Sequence, residues 1–175
     1  MTTIEPDIVR TWLTKMATRL KTVLADDLDD CMMVGIHSGG VVVARELHQM
    51  LGLKDPLGEL NISFYRDDFS RIGLHPTVGA SNLPGPVDGR TVVLVDDVIY
   101  SGRTIRAAMN EIFDYGRPAR IILAVLVERD GHELPIRADV IGDAMDLHTG
   151  QVVKLQAGDL SLQISEHPDQ SGEPA

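Results

Sequence analysis

The chain has 175 residues, of which 43% are hydrophobic and 24% are charged, and its formal net charge is −10. This composition is typical of one globular domain with its own core, and the acidic balance argues against broad, nonspecific binding to nucleic acid. A single cysteine excludes a disulfide within the chain, and neither a signal peptide nor an apolar run of about 18 residues is found. We therefore expect a cytoplasmic protein with one domain over residues 1–165 and a disordered polar tail over residues 166–175.

The N-terminal segment predicts an amphipathic packing helix. Pro6 suits a first helical turn, and Ile8, Trp12, Met16 and Leu20 recur at a spacing of four. The pattern predicts that this helix ends near residue 25, before an acidic loop.

The next segment predicts a core strand, a glycine-rich turn and a helix. Residues 31–36 form an apolar run in which Cys31 is expected to be a buried structural residue. His37, Ser38, Gly39 and Gly40 follow, and residues 41–51 are helical in pattern up to Gly52. A strand, a glycine turn and a helix in this order can bind an anion through backbone N–H groups. A plain left-handed turn is the alternative.

The middle of the chain predicts a strand followed by a long loop. Residues 59–65 alternate between apolar and polar side chains, as a half-buried strand does. Residues 66–89 contain four glycines and three prolines. A loop of that length in a compact domain is usually functional or mobile, and a disordered surface insertion is the alternative.

The most informative stretch runs from residue 91 to residue 104. Residues 92–95 are continuously aliphatic, which predicts a strand buried on both faces. The strand is expected to end at two carboxylates, Asp96 and Asp97, which can bind sugar hydroxyls or hydrated Mg²⁺.

A glycine-containing turn over residues 100–104 follows the two carboxylates, and a helix is predicted after it. Gly102 lets the backbone approach an anion, and the hydroxyls of Ser101 and Thr104 add donors. The implied ligand is a phosphorylated ribose. The stretch is neither a Walker loop nor a dinucleotide fingerprint, because the glycine spacing of both is absent.

The C-terminal part continues the alternation of helices and strands. Residues 105–115 predict a helix with Ala108, Ile112 and Tyr115 facing inward, and residues 121–127 predict another buried strand. Glu128 and Arg129 then leave its carboxyl end, where ligands bind in doubly wound sheets. Residues 140–141 and 152–155 predict short strands. The six histidines lack the spacing of a transition-metal site, and no internal repeat is found.

Residues 92–104 resemble the phosphoribosyl-pyrophosphate (PRPP) signature of type I phosphoribosyltransferases. Four further segments resemble the pyrimidine-operon regulatory proteins (PyrR), a family that also carries uracil phosphoribosyltransferase activity. They are Tyr65-Arg66-Asp67-Asp68, Gly116-Arg117-Pro118-Ala119-Arg120, Leu123-Ala124-Val125-Leu126-Val127 and Glu133-Leu134-Pro135-Ile136-Arg137-Ala138-Asp139. The resemblance covers about residues 5–160. It implies the type I phosphoribosyltransferase fold, with a central, mostly parallel sheet flanked by helices and a flexible hood loop.

The resemblance also implies a role for each part of the site. It gives the 5′-phosphate of PRPP to Val98, Ile99, Tyr100, Ser101, Gly102, Arg103 and Thr104. It gives the pyrophosphate to His37, Ser38, Gly39 and Gly40, and the hood contacts to Arg66, Asp67 and Arg71. The implied catalytic residues are Asp96, Asp97 and Arg129, with Mg²⁺ held by Asp96 and Asp97 through PRPP. The implied base-binding residues are Glu128, Arg129, Ile136 and Arg137.

The chain departs from the family pattern at a few positions. Many members carry a lysine or arginine where His37 stands, an arginine where Gly39 stands, and an aspartate where Glu128 stands. Oxopurine-using relatives usually place an aspartate where Tyr100 stands, so Tyr100 disfavours a purine substrate.

Three functions stay open at this point. The first is a regulator that also converts uracil and PRPP to UMP and pyrophosphate. The second is a sensor of UMP, UTP or PRPP with little catalysis, and the third is a transferase for another base. The resemblance further implies a homodimer or homotetramer and, as in Gram-positive members, a messenger-RNA leader as partner, although the scattered arginines outline no basic face.

Overall fold

The computed structural model describes residues 1–62 and 80–166. Its centre is a five-stranded sheet in which every neighbouring pair is parallel. The strand order is β3-β2-β4-β5-β6. The strands are β2 (Met32–Ile36), β3 (Gly58–Leu60), β4 (Thr91–Ile99), β5 (Arg120–Arg129) and β6 (Val140–Met145).

Helices cover both faces of this sheet. They are α1 (Pro6–Leu24), α2 (Gly39–Leu51) and α3 (Arg103–Tyr115). Val93 and Val95 of β4 pack in one core cluster with residues of α1 and α2, whereas Val92 and Leu94 pack in another with residues of α3. The aliphatic run is therefore buried on both faces, which confirms the predicted α/β class and the central position of β4.

A second, smaller sheet lies outside the parallel one. It is antiparallel in the order β1-β8-β7 and consists of β1 (Thr2–Ile4), β7 (Gln151–Leu155) and β8 (Leu162–Glu166). The sequence analysis predicted a strand at residues 152–155 but missed the other two. Strand β1 has only three residues, too few for an alternating pattern, and β8 pairs both with β1 at the other end of the chain and with the neighbouring β7.

Several predicted boundaries were wrong by a few residues. Strand β4 does not stop at Asp96, because its ladder with β5 continues through the pairs Asp96↔Val125 and Ile99↔Glu128. Strand β5 likewise includes Glu128 and Arg129, which pair with β6. Helices α2 and α3 each begin two residues earlier than predicted, at Gly39 and Arg103. Of the strand predicted at residues 59–65, the structure shows Gly58–Leu60, and residues 63–65 lie outside the described part.

Two side chains expected in the core lie on the surface. Ile8 is 47% exposed and Tyr115 is 46% exposed. The buried face of α1 instead includes Val9, Leu13, Met16 and Leu20. A period of 3.6 residues alternates steps of four and three, so a stripe drawn only at steps of four drifts off the buried face.

In the described ranges, no helix is long and apolar enough to cross a lipid bilayer.

Candidate active site

The polar residues singled out in the sequence meet at one edge of the parallel sheet. Strands β2, β4 and β5 are parallel neighbours, so their carboxyl ends at Ile36, Ile99 and Arg129 lie on the same side. Open α/β sheets bind their ligands at this edge. Three connections leave it, and they carry residues 37–40, 100–102 and 130–136.

The two aspartates of β4 are fixed by the backbone around them. Asp96 is only 5% exposed, and its Oδ1 accepts a hydrogen bond of 3.0 Å from the Asp97 N–H. The Oδ1 of the half-buried Asp97 accepts an equal bond from the Val98 N–H. Each carboxylate is thereby held in one orientation by a neighbouring backbone N–H group.

The glycine turn after β2 lies directly against these carboxylates. A Cβ atom built on Gly39 would lie 2.1 Å from Asp97 Oδ2, and one built on Gly40 would lie 2.6 Å from the Val95 carbonyl oxygen. Both distances are far below van der Waals contact, so this approach excludes every residue larger than glycine unless the surroundings shift. The predicted pyrophosphate loop and the predicted acidic pair therefore form one site.

The turn before α3 has the geometry of an anion-binding loop. Gly102 adopts a φ of 90°, which glycine tolerates best, and Arg103 N–H donates to Ser101 Oγ over 3.2 Å. Helix α3 begins at Arg103, so its first free N–H groups and the positive end of its dipole lie at this turn.

The segment after β5 supports the same turn. The Ser101 carbonyl accepts hydrogen bonds from the N–H groups of Glu133 and Leu134, over 3.0 and 3.1 Å. The Glu133 carboxylate also accepts a 2.7 Å bond from Arg103 Nε. The predicted phosphate ligand Arg103 is thus engaged with Glu133, a partner that the local sequence did not indicate because 30 residues separate them.

Arg129 and Tyr100 contact each other. The guanidinium carbon of Arg129 lies 4.2 Å from the centroid of the Tyr100 ring, which is a cation–π distance. Arg129 is 9% exposed and donates from Nη1 to the Gln151 carbonyl over 2.8 Å. On the other side, the Tyr100 ring lies so close to Gly131 that a Cβ there would approach it within 2.0 Å. Tyr100 is consequently held by its neighbours at the rim of the site.

A cavity of about 390 Å³ lies beside the end of β5. Its lining residues are Glu128, Arg129, Asp130, His132, Arg137, Ala144, Met145 and Asp146. Three buried atoms here, Glu128 Oε1, Arg129 Nε and His132 Nδ1, have no hydrogen-bond partner among the described residues. Glu128 Oε1 does lie 3.4 Å from His132 Nε2, but this ion-pair contact is too poorly aligned to count as a hydrogen bond. The residues that line the cavity therefore include polar atoms whose hydrogen-bonding capacity is not used within the described residues.

Three of the four predicted base-binding residues line this cavity. Glu128, Arg129 and Arg137 line it, whereas Ile136 packs against the core cluster on the α3 side and close to Gly102. Arg137 Nη1 also donates to the Ile136 carbonyl over 3.1 Å. Sequence reasoning missed His132, which no motif marks.

Three further predictions concern residues away from this edge or outside the described ranges. The hood residues Arg66, Asp67 and Arg71 lie outside the part of the chain that the structure describes. Cys31 is buried, and this burial raises the pKa of its thiol, in keeping with a structural role. No cluster of three or more potential metal ligands occurs within residues 1–62 and 80–166.

The chain is similar to a family of known proteins. Residues 12–156 match the family model of the phosphoribosyl transferase domain. The bifunctional protein PyrR of Nitrosococcus oceani is 59% identical over 135 residues, which are 76% of each chain. The bifunctional protein PyrR of Pseudomonas paraeruginosa is 53% identical over 82% of this chain and 85% of its own.

The fold is shared with solved phosphoribosyltransferases of much lower identity. A hypoxanthine-guanine phosphoribosyltransferase from Bacillus anthracis superposes with a TM-score of 0.67 at 15% identity, over 83% of this chain and 84% of its own. A purine phosphoribosyltransferase from Pyrococcus horikoshii gives a TM-score of 0.57 at 19% identity, over 81% and 86%. These likenesses confirm the type I phosphoribosyltransferase fold. Together with the family model and the relatives above half identity, they show that this chain belongs to the PyrR family of phosphoribosyltransferases.

Proposed function

We propose that the carboxyl edge of the parallel sheet is where this PyrR-family chain transfers the phosphoribosyl group of PRPP to uracil, giving UMP and pyrophosphate. The observation that carries the assignment is the contact between the glycine turn of α2 and the carboxylates of β4. This contact brings the start of α2, which can bind an anion, next to the acceptors Asp96 and Asp97. A ribose with a diphosphate on C1′ requires both, because the diphosphate needs donors and the sugar hydroxyls need acceptors.

Each part of the site has a task in this proposal. The turn at Ser101–Gly102 binds the 5′-phosphate, Asp96 and Asp97 accept from the ribose hydroxyls, and residues 37–40 bind the pyrophosphate. Anchoring PRPP at both ends fixes C1′ in line with the incoming base, which lowers the entropic part of the barrier. As the C1′–O bond to pyrophosphate breaks, N–H groups at the start of α2 stabilise the departing anion. N1 of uracil forms the new bond to C1′, and its proton passes to the departing pyrophosphate.

The acidic pair also fits Mg²⁺ bound together with PRPP. Mg²⁺ usually takes one or two carboxylates plus substrate phosphates, not a cage made by the protein alone. Asp96 and Asp97 are two oriented carboxylates beside the pyrophosphate turn, and no larger acidic cluster accompanies them in the described residues. When bound, Mg²⁺ would neutralise charge on the diphosphate.

Tyr100 and the segment after β5 support a pyrimidine as the acceptor. The cavity beside Glu128 is about 390 Å³, and carboxylate, guanidinium and imidazole side chains line it. The edge of uracil carries hydrogen-bond donors and acceptors, which such a lining can match. Tyr100, which packs on Arg129, stands where oxopurine-using relatives usually have an aspartate.

The regulatory activity of the family requires an RNA-binding surface, and α1 provides a suitable one. Helix α1 contains Arg10, Lys15, Arg19 and Lys21 but only one acidic residue, Asp7, in a chain whose net charge is −10. A depression on its outer face is lined by Thr11, Thr14, Lys15, Thr18, Arg19 and Thr22. The threonine hydroxyls donate to carbonyls of their own helix, so the cationic side chains are the groups of this face that suit a phosphate backbone.

We therefore propose that α1 contacts the messenger-RNA leader, with UMP or UTP in the active site as the effector. We also propose a homodimer or homotetramer, which would enlarge this face, and a cytoplasmic location, where such a leader is transcribed.

Asp97→Asn should reduce pyrophosphate release from PRPP and uracil at least a hundredfold, because the neutral amide neither balances Mg²⁺ nor accepts equally from the ribose. Steady-state assays with matched thermal unfolding curves would measure this. Asp88→Asn, in the connection before β4, is the control. An unaltered rate for the Asp97 variant would contradict the site assignment.

Gly39→Ala should raise the KM for PRPP by about tenfold or more, because its Cβ would occupy the position of the Asp97 carboxylate. Gly85→Ala is the matched control, since a Cβ there meets no atom within 4 Å. If both variants keep the kinetics of the unmodified protein, the close approach of the two loops is unimportant for PRPP binding.

Arg19→Ala should weaken binding of a pyrimidine-operon leader and lower the slope of log affinity against log salt by about one, the effect of losing one phosphate contact. Filter binding with UMP present, at several salt concentrations, would measure both. Lys54→Ala, 71% exposed and beyond the end of α2, is the control. Equal effects of the two substitutions would exclude α1 as the specific surface.

A further inference from the structure

Glu59 on β3 contacts the predicted pyrophosphate loop, and no motif in the sequence marks it. Its Oε2 lies 2.6 Å from Nε2 of His37, the only side chain of residues 37–40 that can carry a positive charge. The His37 side chain is 37% exposed and that of Glu59 is 31% exposed, so both stand at the border between the core and the site.

Glu59 is itself held from three directions. Its Oε1 lies 3.4 Å from Arg45 Nη2 on α2. Its backbone N–H and carbonyl both bond to Asn82, over 2.8 and 2.7 Å, and its Cα is in register with Gly35 of β2. The adjacent Leu60 carbonyl accepts the His37 N–H over 2.9 Å. A carboxylate fixed in this way can fix its partner with little further loss of side-chain entropy.

The contact with Glu59 determines which ring nitrogen of His37 remains for a ligand. An ionised carboxylate only accepts hydrogen bonds, so Nε2 of His37 must carry the hydrogen in the contact with Glu59. Nδ1 is the other ring nitrogen, and in the imidazolium its N–H can donate to an anion in the loop. Gly39 cannot be replaced by a longer cationic residue without displacing Asp97, so the loop depends on His37 for side-chain charge.

We infer that Glu59 is a positioning residue for pyrophosphate recognition, acting through His37 and not through contact with the substrate. This inference rests on the proposed function, because it assigns residues 37–40 to the pyrophosphate of PRPP. In this role Glu59 and His37 act together, so removing either side chain should lower the affinity for pyrophosphate by the same factor.

The test is a double-mutant cycle between Glu59→Gln and His37→Ala. Each single substitution should weaken binding of magnesium pyrophosphate, measured by calorimetry, about five- to tenfold, as expected for loss of a charge-assisted hydrogen bond. The KM for PRPP should rise to the same extent while kcat changes less than about twofold, the pattern of lost uniform binding. The double variant should be no weaker than either single one. Glu46→Gln, which removes the same charge from α2, should bind as the unmodified protein does.

Two results would overturn the inference. One is pyrophosphate affinity of Glu59→Gln equal to that of the unmodified protein. The other is a double variant in which the fold-loss of pyrophosphate affinity equals the product of the two single fold-losses. Independent effects of this kind would mean that Glu59 does not act through His37. His37→Gln is a second variant if His37→Ala fails to fold. Pyrophosphate binding needs no nucleobase, so a failure to turn over uracil would count against the proposed function and leave this test intact.

Discussion

The contact on which the candidate site depends is the packing of two backbone glycines against two carboxylates. Gly39 and Gly40, at the start of α2, approach Asp97 and Asp96 on β4 so closely that no Cβ fits between them. The approach is possible because β2 and β4 are adjacent and parallel, so that the turn after one strand meets the end of the other. A side chain at residue 39 would displace the Asp97 carboxylate, whereas glycine lets the start of α2 lie directly against it.

Around this contact, three side-chain pairs hold the loops in place. Glu59 holds His37, Glu133 holds Arg103, and Arg129 packs on Tyr100 while bonding to β7. Most of these side chains are partly exposed, so each pair alone adds little to the free energy of unfolding. Their contribution is geometric, because a site that must bind phosphates at both ends of one sugar needs both loops at a fixed distance. The three pairs therefore explain how an acidic chain keeps several cations oriented at one edge of its sheet.

The sequence predicted the central sheet well, and most of the described residues that it singled out for the site meet at one edge of that sheet, because both patterns are local. The aliphatic runs before Asp96 and Glu128 have few alternatives to buried parallel strands, and a glycine turn before a helix is a short-range pattern. The pairs that hold the loops could not be predicted, since 22 residues separate His37 from Glu59 and 30 separate Arg103 from Glu133. Strand ends were also misplaced, because a parallel ladder continues through polar residues when the neighbouring strand supplies partners.

The proposed reaction at this edge of the sheet is the transfer of phosphoribose to a pyrimidine. The most direct measurement is pyrophosphate release from PRPP and Mg²⁺ with uracil, compared in parallel with hypoxanthine, guanine and orotate. We expect turnover with uracil and background rates with the other three bases. Turnover with a purine base would contradict the role given to Tyr100 and Arg129. No turnover with any base, in a protein that still binds PRPP or UMP, would contradict catalysis and leave a nucleotide sensor built on a transferase fold.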